Sequence, residues 1–363
     1  MSKALIFSDL HLHAHKDRID RLQDCIKVLD WVFETAEDYK CDKIFFLGDL
    51  FHERDKIDVL NYLRTFECFM KHLLDDAKDI DVYLLVGNHD MYHKARWDVN
   101  SVRPLSAIPS LHVIQSPLTT VFENTKINWL PHTENPISHL ETFKEEGVGD
   151  LLLGHLAVHG ALTNLFYGTK SDVIVEYDND MVVVDPSVFD AWDRTILGHY
   201  HGAQRLNEKV EYIGSPLQLS FGEAFQKKHV MIWDLTTKQT TYVENTFSPS
   251  HLIVSPEDIQ NEAYNLDGMF VRLAVDDTGR KDLIDIKRKV ANDAKPLSFD
   301  IKKKDTKKVE SEEDLTALED VQAVLDNIED VLEQYVKDKG VPDGMKRPHL
   351  LKIGKQCLTK RIA

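Results

Sequence analysis

Five apolar runs, ALIFS, KIFFL, VYLLV, DLLL and RTIL, each stop at a short polar motif. Runs this short, rich in aliphatic and aromatic residues and bounded by polar ones, read as buried strands. Two stretches between them have helical spacing instead. One places Ile19, Leu22, Ile26, Leu29, Val32, Phe33 and Ala36 on one stripe, the other Leu60, Leu63, Phe66, Met70, Leu73 and Leu74. Helices between parallel strands imply right-handed crossovers and a layered α/β core. Closer-spaced strands follow to about Leu235, with VEYIG and HVMIWDL reading as a hairpin or meander.

The pattern changes after Thr246. FVRLAV, a helical KDLIDIKRKVANDA and LSFDIKKK read as a small βαβ module, and KKKDTKKVESEEDL has the composition of a linker. An amphipathic helix follows, striped by Leu315, Leu318, Val321, Val324, Leu325, Ile328, Val331, Leu332 and Tyr335. Gly340, Pro342 and Gly344 end it, and residues 350–358 form a second short helix within a basic tail. The chain therefore divides into a main domain (1–245), a small α+β domain (246–304) and a linker with helical tail (305–363).

Composition narrows the class. The 363 residues suffice for one large domain with appendages, and 42% hydrophobic with 29% charged residues is ordinary for a globular protein. ALIF is too short for a signal sequence, and no apolar run approaches the roughly 18 residues of a spanning helix. Cys25, Cys41, Cys68 and Cys357 form no CxxC pair, which fits a reduced cytoplasmic setting without membrane. A net charge of −17 speaks against a surface coated with phosphate contacts, although bound cations and a basic partner could offset it. No GxxxxGK[ST] loop is present, so ATP hydrolysis by that route is excluded.

The chemistry lies in the motifs that end the strands: DLH (9–11), GD (48–49), GNHD (87–90), GH (154–155) and GHYH (198–201). Ligands of open α/β sheets sit beyond the carboxyl ends of the strands, so these motifs are expected on one rim. Asp9 and His11 stand two apart at the exit of the first strand, where the strand is expected to end and turn. Gly48 permits a sharp bend before Asp49. Carboxylate, amide and imidazole donors from Asp9, His11, Asp49, Asn88, His155, His199 and His201 suit divalent ions such as Mn²⁺. Two such ions, roughly 3.5–4 Å apart, can clamp an in-line displacement at phosphorus. Taken singly, each motif has a plainer reading: Asp49 as a turn former or cap, His155 as a hydrogen-bonded structural histidine, GNHD as a turn. The ordered set outweighs those readings. His13 and His15 read as exposed loop residues, and His93, His132 and His159 take no role. His52, exposed just beyond Asp49, is placed to touch a substrate phosphate.

The order D-x-H, G-D, G-N-H-D, G-H, G-H-x-H resembles the calcineurin-like metallophosphoesterase superfamily. That resemblance implies a layered β-sandwich flanked by helices, followed by a small capping domain and a helical tail. It assigns one ion to Asp9, His11, Asp49 and His201, and the other to Asp49, Asn88, His155 and His199. It makes His89 a non-ligand over the scissile phosphate, with Asp90 as its orienting partner. GDLFHERD (48–55), GHLAVHGA (154–161) and YIGSPLQLSFGE (212–223) are further similar to SbcD-type double-strand-break repair nucleases, tailed-phage recombination endonucleases included.

The narrower likeness implies a Mn²⁺-dependent (alternatively Mg²⁺-dependent) nuclease acting 3′ to 5′ on duplex DNA ends and endonucleolytically on single strands. His52 would place the strand and His89 would serve the leaving 3′-oxygen. It also implies a homodimer, and a tail that grips a coiled-coil ABC-type ATPase of the SbcC kind in a prokaryotic or phage-infected cell. The amphipathic helix could alternatively pack on its own domain or pair with itself. Two rival functions remain open: hydrolysis of a small phosphodiester or phosphoprotein, and a non-catalytic scaffold for the ATPase.

Overall fold

The computed structural model describes residues 2–13, 19–74, 79–163, 173–174, 181–275 and 280–303. The expected linker and helical tail at 305–363 lie outside these residues, as does His15. In chain order the elements that matter here are β1 (Lys3–Phe7), α1 (Ile19–Asp38), β2 (Lys43–Phe46), α2 (Val59–Leu73), β3 (Asp81–Leu85), β4 (Met91–His93), β5 (Arg96–Asn100), β6 (Leu111–Ile114), β7 (Leu118–Phe122), β8 (Thr125–Leu130), α3 (Pro136–Glu146), β9 (Leu151–His155), β10 (Arg194–Gly198), β11 (Gln204–Arg205), β12 (Val210–Tyr212), β13 (His229–Asp234), β14 (Thr240–Glu244), β15 (His251–Val254), α4 (Pro256–Gln260), β16 (Phe270–Val275), α5 (Arg280–Asp293) and β17 (Ser298–Lys303).

Two six-stranded sheets form the body, in the orders β14-β13-β1-β2-β3-β6 and β11-β12-β10-β9-β8-β7. Period-two alternation tells each strand which layer its side chains enter. Ala4 and Ile6 of β1 join Phe45, Leu85, Trp129, Leu151, Leu153 and Ile196 in a core fed by both sheets. Leu5 and Phe7 point the other way, into a core shared with Val28, Leu29, Val32 and Phe33 of α1 and Phe69 of α2. The outer face of the second sheet is covered likewise, with Leu152 and Leu197 packing against Leu140 and Phe143 of α3. The result is a β-sandwich with helical outer layers, as expected.

β1, β2, β3 and β6 are mutually parallel, and so are β8, β9, β10 and β12. The hairpin expected between VEYIG and HVMIWDL does not form. β12 runs parallel to β10 in the second sheet, while β13 crosses to the first sheet and lies antiparallel to both β1 and β14. Local alternation looks the same in both runs; partners distant in the chain decide the pairing. β15, β16 and β17 make a third, wholly parallel sheet. Its own core is Val254, Ile259, Val271, Leu273, Val275, Ile286 and Val290, and Ser255 opens α4 with a capping box to Asp258. Among the described residues no helix is long and apolar enough to cross a membrane.

Candidate metal centre

The rim begins as a backbone problem. Beyond β1, β2 and β10 the chain must turn at once to aim side chains into one space. It does so with left-handed residues at Asp9 (φ 55°), His11 (φ 45°), Asp49 (φ 59°) and His199 (φ 101°). Asp and His are among the few non-glycine types that tolerate this region, at a cost of about 1–3 kcal/mol each. Hydrogen bonds lock the turns together: Asp9 N–H donates to Gly48 O and His11 N–H to Asp49 O, both at 3.0 Å. His199 N–H donates to the Asp9 carboxylate at 3.0 Å, joining the two sheets. Two glycines are required by contact. A Cβ on Gly48 would come within 2.7 Å of His155 Nδ1, and one on Gly87 would overlap the Asp49 carboxylate.

Around this frame the side chains converge as two groups, Asp9–His11–His201 and Asp49–His155–His199. His11 Nε2 and His201 Nε2 are 3.1 Å apart. On the other side, Asn88 Oδ1 stands 2.9 Å from His155 Nε2 and 3.2 Å from His199 Nδ1. Asp49 Oδ2 lies between the groups, 3.5 Å from His11 Nε2 and 3.4 Å from His155 Nε2. Neighbouring donors on an octahedral ion with bonds of about 2.1 Å stand about 3.0 Å apart. The spacing and the mixed oxygen and nitrogen chemistry therefore fit two divalent ions sharing Asp49.

Outer contacts fix which nitrogen of each ring faces inward. His155 Nδ1 lies 2.7 Å from Leu47 O, so it carries the proton and leaves Nε2 as the donor. His201 Nδ1 lies 3.1 Å from Glu223 Oε1, with the same consequence. His89 Nδ1 lies 2.6 Å from His52 O, which leaves its Nε2 for a substrate. The electrostatics follow burial and pairing. Burial pushes His11 well below its ordinary value, Asp49 opposing and His201 and His89 adding to it. Burial also opposes the charge on His155, but Asp49 outweighs it and lifts the imidazole to about 9. Asp49 is held well below the usual carboxylate range, against its own burial, by His155 and His11.

All seven expected ligands meet here, and His89 and His52 stand at the same rim. Asp90 is a correction. It does not orient His89: fully buried, it accepts from Gly87 N and Asp49 N with Oδ2 and from Leu50 N and Phe51 N with Oδ1, at 2.9 to 3.4 Å. With both oxygens committed to backbone N–H groups, it clamps the GDLF turn, and the partner of the His89 ring is the His52 carbonyl. Burial and the charge of Asp49 lift the Asp90 carboxyl to about 6. His13 also departs from expectation, being half-buried and stacked on His52 with ring centroids 4.4 Å apart. His132, given no role, is buried behind the site, where burial and His155 push it down to about 3.

Sequence reasoning missed Glu223. Its Oε1 faces His201, and its Oε2 lies 2.6 Å from Lys228 Nζ and accepts from Ser215 Oγ at 3.1 Å. The available signal was its place at the end of YIGSPLQLSFGE; a lone loop glutamate has no spacing that ties it to a ligand.

Residues 2–211 match the calcineurin-like phosphoesterase family. The chain belongs to that family, whose members hydrolyse phosphoesters with divalent metal ions. Exonuclease subunit 1 of Enterobacteria phage T4 is 26% identical over 201 residues, covering 54% of this chain and 54% of that protein, so the match spans about half the length of that relative. The SbcD component of the SbcCD nuclease of Escherichia coli K12 is 24% identical over 284 residues, covering 67% of each. Among solved structures, an archaeal phosphodiesterase covers 67% of this chain and 99% of its own at 13% identity, with a TM-score of 0.35.

Proposed function

We propose that this chain is the nuclease subunit of an SbcCD-like recombination and repair assembly. It would act as a two-metal DNA phosphodiesterase, degrading duplex ends 3′ to 5′ and cutting single strands internally. The observation that carries the reading is the pair of donor groups on either side of Asp49, with His89 at their edge. Asp9, His11, Asp49 and His201 would hold one ion, and Asp49, Asn88, His155 and His199 the other. Mn²⁺ suits this mixed donor set, with Mg²⁺ the alternative. When bound, such ions supply Lewis acidity at the phosphoryl oxygens and lower the pKa of water.

The chain's own groups do the rest. With Nδ1–H held by His52 O, His89 in its imidazolium form would present Nε2–H to the leaving 3′-oxygen and give up that proton as a general acid. The His52 ring, stacked on His89 with centroids 5.7 Å apart, would position the DNA strand. Relatives that carry the names of nuclease subunits support a DNA substrate and a partner subunit. With a net charge of −17, much of the affinity for duplex ends would come from a coiled-coil ATPase bound by the tail, in a homodimeric arrangement.

The test is to incubate the pure chain with labelled duplex and single-stranded DNA in Mn²⁺ or Mg²⁺, beside Asp49→Asn. Cleavage by the wild type alone supports the reading. Turnover of bis(p-nitrophenyl) phosphate with DNA left intact would replace it with a small-phosphodiester enzyme. Turnover of neither substrate in either metal would leave only a scaffold, and equal activity of wild type and His89→Ala would remove His89 from the chemistry.

A further inference from the structure

Away from the rim, one other group of side chains among the described residues brings metal-binding atoms together: Asp30, Cys68 and His72. Asp30 comes from α1. Cys68 and His72 stand four apart on α2, a spacing that puts both on one side of the helix. Asp30 Oδ1 lies 2.7 Å from His72 Nε2 and 3.6 Å from Cys68 Sγ. The His72 ring lies flat on Phe33 of α1, with centroids 4.4 Å apart and planes 6° apart, which fixes its direction. Cys68 and His72 are buried, while Asp30 keeps 28% of its side chain exposed and opens the group to solvent. On that outer side Lys71 Nζ lies 2.8 Å from the same Asp30 oxygen.

We propose that Asp30, Cys68 and His72 form a separate metal site, a zinc clip between α1 and α2. Thiolate, imidazole and carboxylate are the donors that Zn²⁺ takes. The sulfur sets this group apart from the rim, whose oxygen and nitrogen donors suit harder ions. In a tetrahedral site with bonds of about 2.3 Å to sulfur and about 2.0 Å to oxygen or nitrogen, donors stand about 3.3–3.5 Å apart. Cys68 already keeps that distance from Asp30, and His72 and Asp30 need part by only about 0.6 Å. On binding, the thiol proton passes to solvent, His72 keeps its one proton on Nδ1 and coordinates through Nε2, and the Lys71 ammonium yields Asp30 to the ion. Water completes the coordination at the exposed edge. The clip would join the two helices that cover β1, β2 and β3, beyond which Asp9, His11, Asp49 and Asn88 follow. It does not depend on the nuclease reading.

Titration of the reduced full chain with Co²⁺ separates this site from the rim, because the rim donors contain no sulfur. A near-ultraviolet thiolate-to-Co²⁺ charge-transfer band should appear and be bleached as Zn²⁺ displaces the cobalt. Cys68→Ser should abolish the band, and Cys357→Ser should leave it intact. Lys71→Ala, at an exposed position, should tighten Co²⁺ binding several-fold, since the ammonium no longer competes for Asp30. Asp30→Asn, nearly isosteric and partly exposed, should weaken it by about tenfold or more with the fold retained by circular dichroism. Zn²⁺ should also raise the melting temperature of the wild type by several degrees more than that of Cys68→Ser. The proposal is overturned if neither the wild type nor Lys71→Ala shows the band, if the band survives Cys68→Ser, or if Asp30→Asn binds Co²⁺ as the wild type does. The three side chains would then be a hydrogen-bonded group and nothing more.

Discussion

At the rim, four left-handed residues, three buried imidazoles or carboxylates of unusual pKa and a fully buried Asp90 occupy the carboxyl ends of two sheets. In the third sheet, Val254, Val271, Leu273 and Val275 enter an apolar core from strands without a left-handed residue. The two regions use ordinary strands to opposite ends. One holds backbone strain, at about 1–3 kcal/mol per residue, together with desolvated charge, because chemistry needs donors aimed at one point. The other carries neither. The rim endures because β1, β2 and β10 are anchored in the apolar layers below it, through residues such as Ile6, Phe46 and Ile196.

The sharpest way to break this contrast is Asp49→Asn. If Asp49 serves both donor groups, DNA cleavage in Mn²⁺ should fall by roughly a thousandfold or more, with the fold retained by circular dichroism. His89→Ala and Asp90→Ala should then separate chemistry from support. The first should lower kcat by about 10²–10⁴ with little change in stability. The second strands four N–H groups and should cost about 3–5 kcal/mol in urea unfolding. Equal stability of the two variants would return Asp90 to the role of orienting His89.

Leu273→Ala, in the third sheet, should cost about 2–5 kcal/mol by the same assay while leaving Mn²⁺ affinity unchanged. A loss of metal binding there would mean that the regions are not independent. The smallest effect concerns pH. Lys228 and His201 hold the Glu223 carboxyl far below its ordinary 4.5 despite burial. The folded state then binds fewer protons than the unfolded one below about pH 4.5, so this stabilisation is complete above that pH and is lost as acid reaches the lowered value. Glu223→Gln should flatten that acid limb of the stability–pH curve.

Much of the rim was legible because each motif follows its own strand, and strand ends converge by topology. All seven proposed ligands could be named that way. What escaped was set by partners far along the chain. β13 pairs with β1 across most of the body, so its likeness to a hairpin strand was misleading. Asp90 adjoins His89 in sequence, yet its oxygens go to turns at residues 49–51, which only the folded backbone brings near. Glu223 had no spacing to betray it; its role depends on which side chains it meets.

The bond between His199 N–H and Asp9 spans 190 residues, and β1 gains its antiparallel neighbour only at His229–Asp234. During translation, then, the amino-terminal donors wait for the far end of the body before the cleft can close. Such long loops make for slow folding. They also mean that a ribosome-bound fragment ending short of His199 lacks two of the imidazoles at the rim, so the cleft stays incomplete until the main body has been synthesised.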